Sequence, residues 1–142
     1  MSKTGKIRLL ALGLIRDGDR LFLSEGYDRI KNECFYRALG GGVDFGETSL
    51  AALQREFQEE LQADLTNIHY LGCLESLFTF NGKAKHEILQ VYQCDFADIA
   101  FYQREEIAFH EGKRKKRALW IPRDRCLSGE LNIVPKSFLT YL

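Results

Sequence analysis

The sequence lacks an excess of charge of either sign, and it lacks any long hydrophobic run. Its 142 residues contain twenty Lys and Arg against twenty Asp and Glu. Without net charge, we do not expect the chain to coat nucleic acid or a membrane surface through overall attraction. No apolar run is long enough to span a bilayer, so we expect no membrane partner. The hydrophobic share of 45% argues against disorder.

Cysteine is scarce, and its spacing argues against two kinds of stabilising site. The four cysteines form no C-x-x-C pair and have no histidine at zinc-finger spacing: Cys34, Cys73, Cys94 and Cys126. This pattern favours reduced, mostly buried thiols in a cytoplasmic protein over a disulfide framework or a zinc site. A chain of this length buries about two-thirds of its surface on folding, so it needs neither. We expect a single domain over residues 1–142, as a monomer or a homodimer.

Hydrophobic periodicity and turn signals indicate one mixed α/β domain with more strands than helices. A helix is predicted over residues 49–62, with Thr48 as its N-cap. Pro122 permits a short helix start, and the tail after Pro135 is expected to form a final turn or helix. The segment 26–34 is polar and is predicted to be a loop. Strands are predicted at 7–15, 20–24, 35–39, 68–80, 86–96, 106–110 and 117–121.

The predicted helix carries both a core stripe and an acidic flank. At about 100° per residue, four apolar residues fall in one arc of about 80°: Leu50, Leu53, Phe57 and Leu61. Three carboxylates share the neighbouring flank: Glu56, Glu59 and Glu60. Such acids repel one another at i, i+4 and oppose the helix dipole near its C-terminus. The flank is either a solvated acidic face or a site for a divalent cation. A bound cation would offset the repulsion among the three carboxylates.

The spacing around the helix distinguishes between these interpretations. Gly41 is followed after five residues by Glu47, and Glu47 after seven by the run 55–60, Arg-Glu-Phe-Gln-Glu-Glu. The pattern resembles the signature of the Nudix hydrolase superfamily, which here extends from Gly41 to Ala63 with every charged position matched. One position departs, because Gln62 stands where the family has a helix-ending glycine.

This resemblance implies a fold, an activity and a cofactor. The fold is α/β (α+β): a Nudix-type α/β/α sandwich around a mixed β-sheet, with a loop–helix–loop carrying the signature. The activity is the hydrolysis of a pyrophosphate bond in a nucleoside diphosphate linked to another moiety. Mg²⁺ or Mn²⁺ would be the cofactor, because hard cations prefer oxygen ligands and help water to attack an anionic diphosphate. The partner is therefore a small-molecule nucleoside diphosphate derivative.

The resemblance also assigns roles within the signature. Glu59 and Glu60 are the core metal ligands, and Glu56 is a ligand or orients the attacking water. The backbone carbonyl of Gly41 is expected to join the metal ligands. Glu47 and Arg55 hold the carboxylates in position by ion pairing. The catalytic set is therefore Glu47, Arg55, Glu56, Glu59 and Glu60.

Residues outside the helix complete the candidate site. The family often adds an acid from a loop, for which Glu105, Glu106 and Glu111 are candidates. We favour Glu111 as a metal ligand because it ends a predicted strand facing the expected cleft, although an ordinary hairpin-end charge has the same pattern. Arg37 precedes the glycine run and is a candidate for phosphate binding or a strand-surface residue. The backbones of Gly41 and Gly42 are expected to approach the substrate.

Charge is segregated along the chain despite the net balance. Residues 40–64 contain six acids and one base, whereas residues 113–125 contain seven bases and one acid. The basic run 113–117 is a solvated hairpin tip, a phosphate-steering patch or an RNA contact. The leading hypothesis is a Nudix pyrophosphohydrolase. The alternatives are a non-catalytic nucleotide-binding or regulatory module on the same fold and an RNA-processing Nudix enzyme.

Overall fold

The computed structural model describes residues 5–142, so residues 1–4 of the predicted domain lie outside the described part. Two α-helices, α1 (Ser49–Leu61) and α2 (Arg123–Leu127), and two short 3-10 helices at Ile99–Gln103 and Lys136–Tyr141 accompany the strands. The strands are β1 (Ile7–Asp17), β2 (Arg20–Asp28), β3 (Glu33–Arg37), β4 (Leu39–Gly42), β5 (Leu65–Phe80), β6 (Lys83–Phe96), β7 (Glu106–Glu111) and β8 (Arg114–Pro122).

The strands form a mixed sheet in the order β5-β6-β1-β2-β8-β7. β1 and β6 run parallel, and the other named pairs are antiparallel. β3 is added beside β2, and β4 pairs with β1 over Leu10–Gly13. This pairing holds the glycine run 40–42 against the centre of the sheet.

Helices cover both faces of the sheet. α1 packs on one face through Ala52, Leu53 and Phe57, while Cys126 of α2 and Phe138 of the C-terminal 3-10 helix pack on the other. Alternate residues of β1 serve the two cores, as expected for a strand buried on both sides. The expected mixed α/β/α arrangement is therefore present, with a thin second helical layer. Within residues 5–142, no helix is both long enough and apolar enough to cross a membrane.

Two burial predictions were wrong. Leu50, expected in the core stripe of α1, is exposed because the buried arc of the helix extends from Phe57 through Leu53 to Ala52, which leaves Leu50 at its edge. Cys34 and Cys73 are exposed, whereas Cys94 and Cys126 are buried, so the thiols are not mostly buried. Cys34 lies on β3 beside β2 and Cys73 on β5 at the end of the sheet, where side chains retain access to solvent.

The polar segment 26–34 is not a loop. β2 continues to Asp28, and β3 begins at Glu33, with Tyr27 paired to Cys34. The Asp28 carboxylate organises the turn by accepting the backbone N–H groups of Ile30 and Lys31 at 2.9 Å. The hairpin is held by backbone pairing and by the Asp28 turn. Its residues do not alternate between apolar and polar, so the sequence pattern does not predict these strands.

The ends of α1 follow the sequence prediction closely. The Thr48 hydroxyl oxygen accepts the backbone N–H of Ala51 at 3.1 Å, which confirms the N-cap. Gln62 takes the left-handed conformation that the missing family glycine would favour, with φ 54° and ψ 40°. Its N–H donates to the carbonyl of Gln58 at 3.0 Å, and the N–H of Ala63 donates to that of Phe57 at 3.3 Å.

Replacing Gln62 with glycine should therefore stabilise the protein. A residue with a side chain is destabilised by about 1 kcal/mol in the left-handed conformation, whereas glycine adopts it without this cost. We expect Gln62→Gly to raise the free energy of unfolding by about 0.5–1 kcal/mol in urea titrations. The same change at Gln54, an exposed position within α1, should lower it by about 1 kcal/mol. Equal losses at both positions would contradict the prediction.

Candidate active site

A cleft opens where β4 meets the acidic flank of α1. Gly41 and Gly42 form one side of it, and Glu56 and Glu60 project into it from α1. Other elements contribute Arg37, Glu87, Glu111 and Lys116 to the lining. The cleft thus gathers six of the residues predicted from sequence: Arg37, Gly41, Gly42, Glu56, Glu60 and Glu111.

Arg55 ties the loop before α1 to the helix itself. Its guanidinium donates to Glu47 at 2.6 and 3.1 Å and to the backbone carbonyl of Gly42 at 2.8 Å. The same group donates to Glu56 at 3.0 Å and to Glu59 at 3.2 Å. A single cation therefore fixes the positions of three carboxylates and one strand, which is the supporting role expected for Arg55 and Glu47.

These hydrogen bonds stabilise the ionised forms of both partners. The Arg55 guanidinium, followed by the backbone N–H of Asp44, lowers the pKa of Glu47 from its ordinary value. Hydrogen bonding to Glu47, the largest cause, raises the pKa of Arg55. The pair therefore remains charged near neutral pH, and the Glu47–Arg55 link persists there.

Glu60 lies in a very different environment on the same helix. Its Oε1 atom is buried and has no hydrogen-bond partner among residues 5–142. Burial, followed by the nearby carboxyl groups of Glu56 and Glu111, raises the pKa of Glu60 to about 9. Lys116 acts in the opposite direction. A buried carboxyl oxygen without a partner is costly, so this atom is suited to an added cation.

The lack of a side chain at Gly41 leaves room for Glu56. A Cβ atom at Gly41 would overlap the Glu56 carboxyl group, with Oε2 only 2.5 Å away. A Cβ at Gly42 would meet nothing closer than the Arg8 guanidinium, at 3.3 Å. The β4 backbone is therefore packed directly against one carboxylate of the cleft, and any side chain at Gly41 would have to displace that carboxylate.

The carboxyl groups that line the cleft are of the type that binds a hard divalent cation, although their oxygens do not yet surround a single point. The carboxyl groups of Glu56 and Glu111 lie near enough to Glu60 to raise its pKa, and Mg²⁺ and Mn²⁺ prefer oxygen ligands of this kind. Within residues 5–142, however, no three His, Cys, Asp or Glu side chains are close enough to hold a metal together. Mg²⁺ commonly binds through one or two carboxylates, with water and substrate phosphates completing its shell. The residues present are therefore compatible with such an ion.

Glu59 is not gathered with the other acids. Its side chain is 58% exposed and pairs with Arg55 instead of entering the cleft. Of the three acids considered outside the signature, Glu111 lines the cleft beside Lys116, whose Nζ is 3.4 Å from Glu111 Oε2. Glu106 pairs with Arg117 at 3.0 Å, and neither it nor Glu105 lines the cleft.

The basic run 113–117 begins at the tip of the β7–β8 hairpin, where Lys113 lies in the turn, and its last four residues continue along β8. Arg114 lies over the Phe80 ring, with its guanidinium carbon 5.6 Å from the centroid. Arg117 pairs with Glu25 at 2.9 Å, and Lys116 pairs with Glu111. Three of the five cations therefore have partners, and Lys116 is the one that lines the cleft.

Sequence reasoning did not identify Glu87 as a site residue. It is only 5% exposed, lines the cleft, and lies 3.3 Å from Arg37 and 4.0 Å from Arg8. Strand alternation could have found it, because it shares a face of β6 with the buried Leu89 and Val91. A charged side chain on the buried face of a strand needs an oppositely charged partner, and here two arginines provide it.

Comparisons with known proteins are consistent with this geometry. The sequence model of the family described as NUDIX domain matches residues 6–141. A MutT NUDIX hydrolase structure from Burkholderia pseudomallei is 21% identical, with a TM-score of 0.58 over 84% of this chain and 85% of that one. A Mutator MutT protein from Bacillus halodurans is 17% identical, with a TM-score of 0.62 over 94% and 79%. A NUDIX hydrolase from Nitrosomonas europaea is 18% identical, with a TM-score of 0.59 over 92% and 82%. No curated protein sequence matches.

Proposed function

This chain belongs to the NUDIX family of hydrolases, and on that basis we propose that it hydrolyses the pyrophosphate bond of a nucleoside diphosphate linked to another moiety. The observation that carries the proposal is the buried, unpartnered carboxyl oxygen of Glu60 beside Glu56 in an open cleft. A module that only bound nucleotides would gain nothing from this arrangement, because both the burial and the mutual repulsion are unfavourable without a cation.

Mg²⁺ or Mn²⁺ is the proposed cofactor. The ligands would be the carboxylates of Glu56, Glu60 and Glu111 and the backbone carbonyl of Gly41. Glu59 would join them after release from Arg55. A divalent cation in the cleft would shield the diphosphate charge and lower the pKa of a bound water.

The remaining residues bind and orient the substrate. Arg37 and Lys116 are two of the cations that line the cleft, and we propose that they bind the phosphate oxygens. The β4 backbone at Gly41 and Gly42 lets the diphosphate approach closely. Glu56 would orient the attacking water or act as a ligand, held in either role by its hydrogen bond from Arg55. Glu47 fixes Arg55 and so acts as a positioning residue.

A hydrolysis screen tests the proposal. Purified protein would be incubated with Mg²⁺ or Mn²⁺ and a panel of modified nucleotides, sugar nucleotides, dinucleoside polyphosphates and nucleotide cofactors. Turnover of at least one compound is expected, with release of a nucleoside monophosphate, and Glu59→Gln serves as the impaired control. Specific binding without turnover of any compound would instead favour the regulatory-module alternative.

The RNA-processing alternative has little structural support. It depends on the basic run 113–117, and Arg114, Lys116 and Arg117 are already engaged by neighbouring side chains. A small-molecule substrate therefore remains our proposal. We further propose that the chain acts in the cytoplasm as one domain over residues 1–142, as a monomer or a homodimer.

Glu111 is the proposed acid from outside the signature, and a substitution can test it. We expect Glu111→Gln to lower kcat by about 10–100-fold, the range typical for weakening a metal site from its periphery. Glu106→Gln also removes one negative charge from β7 but leaves the cleft lining unchanged, so its kcat should stay within about twofold of wild type. An unchanged rate for Glu111→Gln would show that Glu111 is an ordinary hairpin-end residue.

A further inference from the structure

A second groove, here called the basic groove, continues from the cleft at the starts of β1 and β6. Arg8 and Glu87 line both the cleft and the basic groove, so the two are contiguous. Cationic side chains dominate the new part of the surface. The charged and titratable lining residues of the basic groove are Lys6, Arg8, Lys83, Lys85, His86 and Glu87.

The lysines of the basic groove have no acidic partners. Among residues 5–142, no carboxylate lies within 4.0 Å of the side-chain nitrogens of Lys6, Lys83 or Lys85. Glu87 is the one acid in the groove lining, and it is already shared between Arg8 and Arg37. Clustered like charges without counter-charges are unfavourable unless an anion binds among them.

This arrangement differs from that of the basic run in β8. There, Lys116 and Arg117 pair with carboxylates on neighbouring strands. The sequence offers both segments the same type of residue, but the fold provides acids to only one of them. The basic groove is therefore the stronger candidate for binding an external anion.

The placement of the groove restricts what that anion can be. Lys85 and Lys83 precede Glu87 at alternate positions along β6, at about 7 and about 13 Å from it for a strand rise of about 3.3 Å per residue. An anionic group bound there would thus be separate from a diphosphate held beside Arg37 and Glu60. On β6 this row contains only Lys83 and Lys85 and ends at the turn before Lys83, which matches the charge of one compact anion.

We propose that the basic groove binds a phosphate group that the substrate carries in addition to the diphosphate under attack. The inference rests on the proposed function and narrows it to one substrate class: nucleoside diphosphate derivatives with a separate phosphomonoester on the nucleoside. Such a group carries between one and two negative charges at neutral pH. Lys83 and Lys85 bind it, while Arg37 and Arg8 face the diphosphate at the junction.

Metal-free binding tests the inference independently of turnover. In the presence of a chelator, isothermal titration would compare adenosine 5′-monophosphate with adenosine 2′,5′-bisphosphate and 3′,5′-bisphosphate. We expect at least one bisphosphate to bind the wild-type protein at least about tenfold more tightly than the monophosphate does. This difference corresponds to one additional ion pair in a partly desolvated groove. Equal affinities of all three ligands would overturn the inference, whereas failure of the hydrolysis screen would overturn only the proposed function.

Two double variants of equal charge locate the effect. Lys83→Gln/Lys85→Gln should abolish the preference for the bisphosphate while leaving the affinity for the monophosphate within about twofold. Arg104→Gln/Lys136→Gln removes the same charge from exposed residues that line neither cavity, and it should retain the preference. Equal losses in both variants would show that overall charge is responsible. Tighter binding of a single-stranded RNA oligonucleotide, lost only in the lysine variant, would also overturn the inference.

Discussion

Replacing Glu60 with glutamine is expected to lower kcat/KM for metal-dependent hydrolysis by about 10³-fold. The change keeps the size of the side chain but removes a carboxylate ligand whose Oε1 atom is buried and unpartnered within the described residues. Metal-assisted stabilisation of a phosphoryl transition state is worth several kcal/mol, and about 4 kcal/mol corresponds to this loss. The measurement is steady-state hydrolysis of whichever compound the screen identifies, at saturating Mg²⁺ or Mn²⁺.

The same substitution should change how stability depends on pH in the metal-free protein. The folded-state pKa of Glu60 is about 9, against an ordinary value of 4.5. Between these values the folded state retains a proton that the unfolded chain has released, so stability falls as pH rises across this window. Glu60→Gln has no such proton to lose. In urea titrations with a chelator, the stability of the variant relative to wild type should therefore increase from acidic to alkaline pH.

The response of the melting temperature to added metal checks both predictions for Glu60→Gln. Added Mn²⁺ should raise the melting temperature of the wild type more than that of Glu60→Gln, because only the wild type offers the carboxylate. Glu75→Gln, on an exposed face of β5, should match the wild type in rate, pH dependence and metal response. A Glu60→Gln variant that retains both full hydrolysis and full metal stabilisation would remove Glu60 from the site.

The part of the candidate site that lies on one helix could be predicted from the sequence. Helical spacing alone places Glu56 and Glu60 on one flank, and the family resemblance implies that the Gly41 backbone lies beside them. The signature also marks Gln62 as the position of a helix-ending glycine, and the structure has the left-handed conformation there. These inferences depend on local geometry, which a sequence pattern specifies directly.

The remaining features depend on contacts between distant segments. Glu87 meets Arg8 because β1 and β6 run parallel with Ile7 opposite His86, a pairing across 79 residues that no local pattern reveals. The same pairing creates the basic groove. The β4 strand was missed because three consecutive glycines have little strand propensity, and only pairing with β1 makes them a strand. Likewise, no local pattern shows that the basic run finds acidic partners on β2 and β7.

Replacing Gly41 with alanine is expected to lower kcat/KM by about 10²-fold. The added methyl group would overlap the Glu56 carboxyl group, whose side chain is 16% exposed and is held by Arg55 at 3.0 Å. Glu56 therefore cannot move aside without breaking that hydrogen bond or displacing β4. A shift of about 1 Å in a group that positions the reaction is enough for a loss of this size. Steady-state kinetics and metal titration, with the melting temperature as a check of folding, would measure it.

Gly42→Ala is the matched control for this prediction. Its methyl group would approach only the far end of Arg8, a flexible side chain that is 58% exposed, at 3.3 Å. We expect a loss below about tenfold there, since Arg8 can move aside. Both changes add the same group to adjacent residues of one strand, and neither residue has a φ in the left-handed region, so their backbone costs are alike. The difference between them therefore isolates the displacement of Glu56, and equal losses would mean that β4 tolerates no side chain at either position.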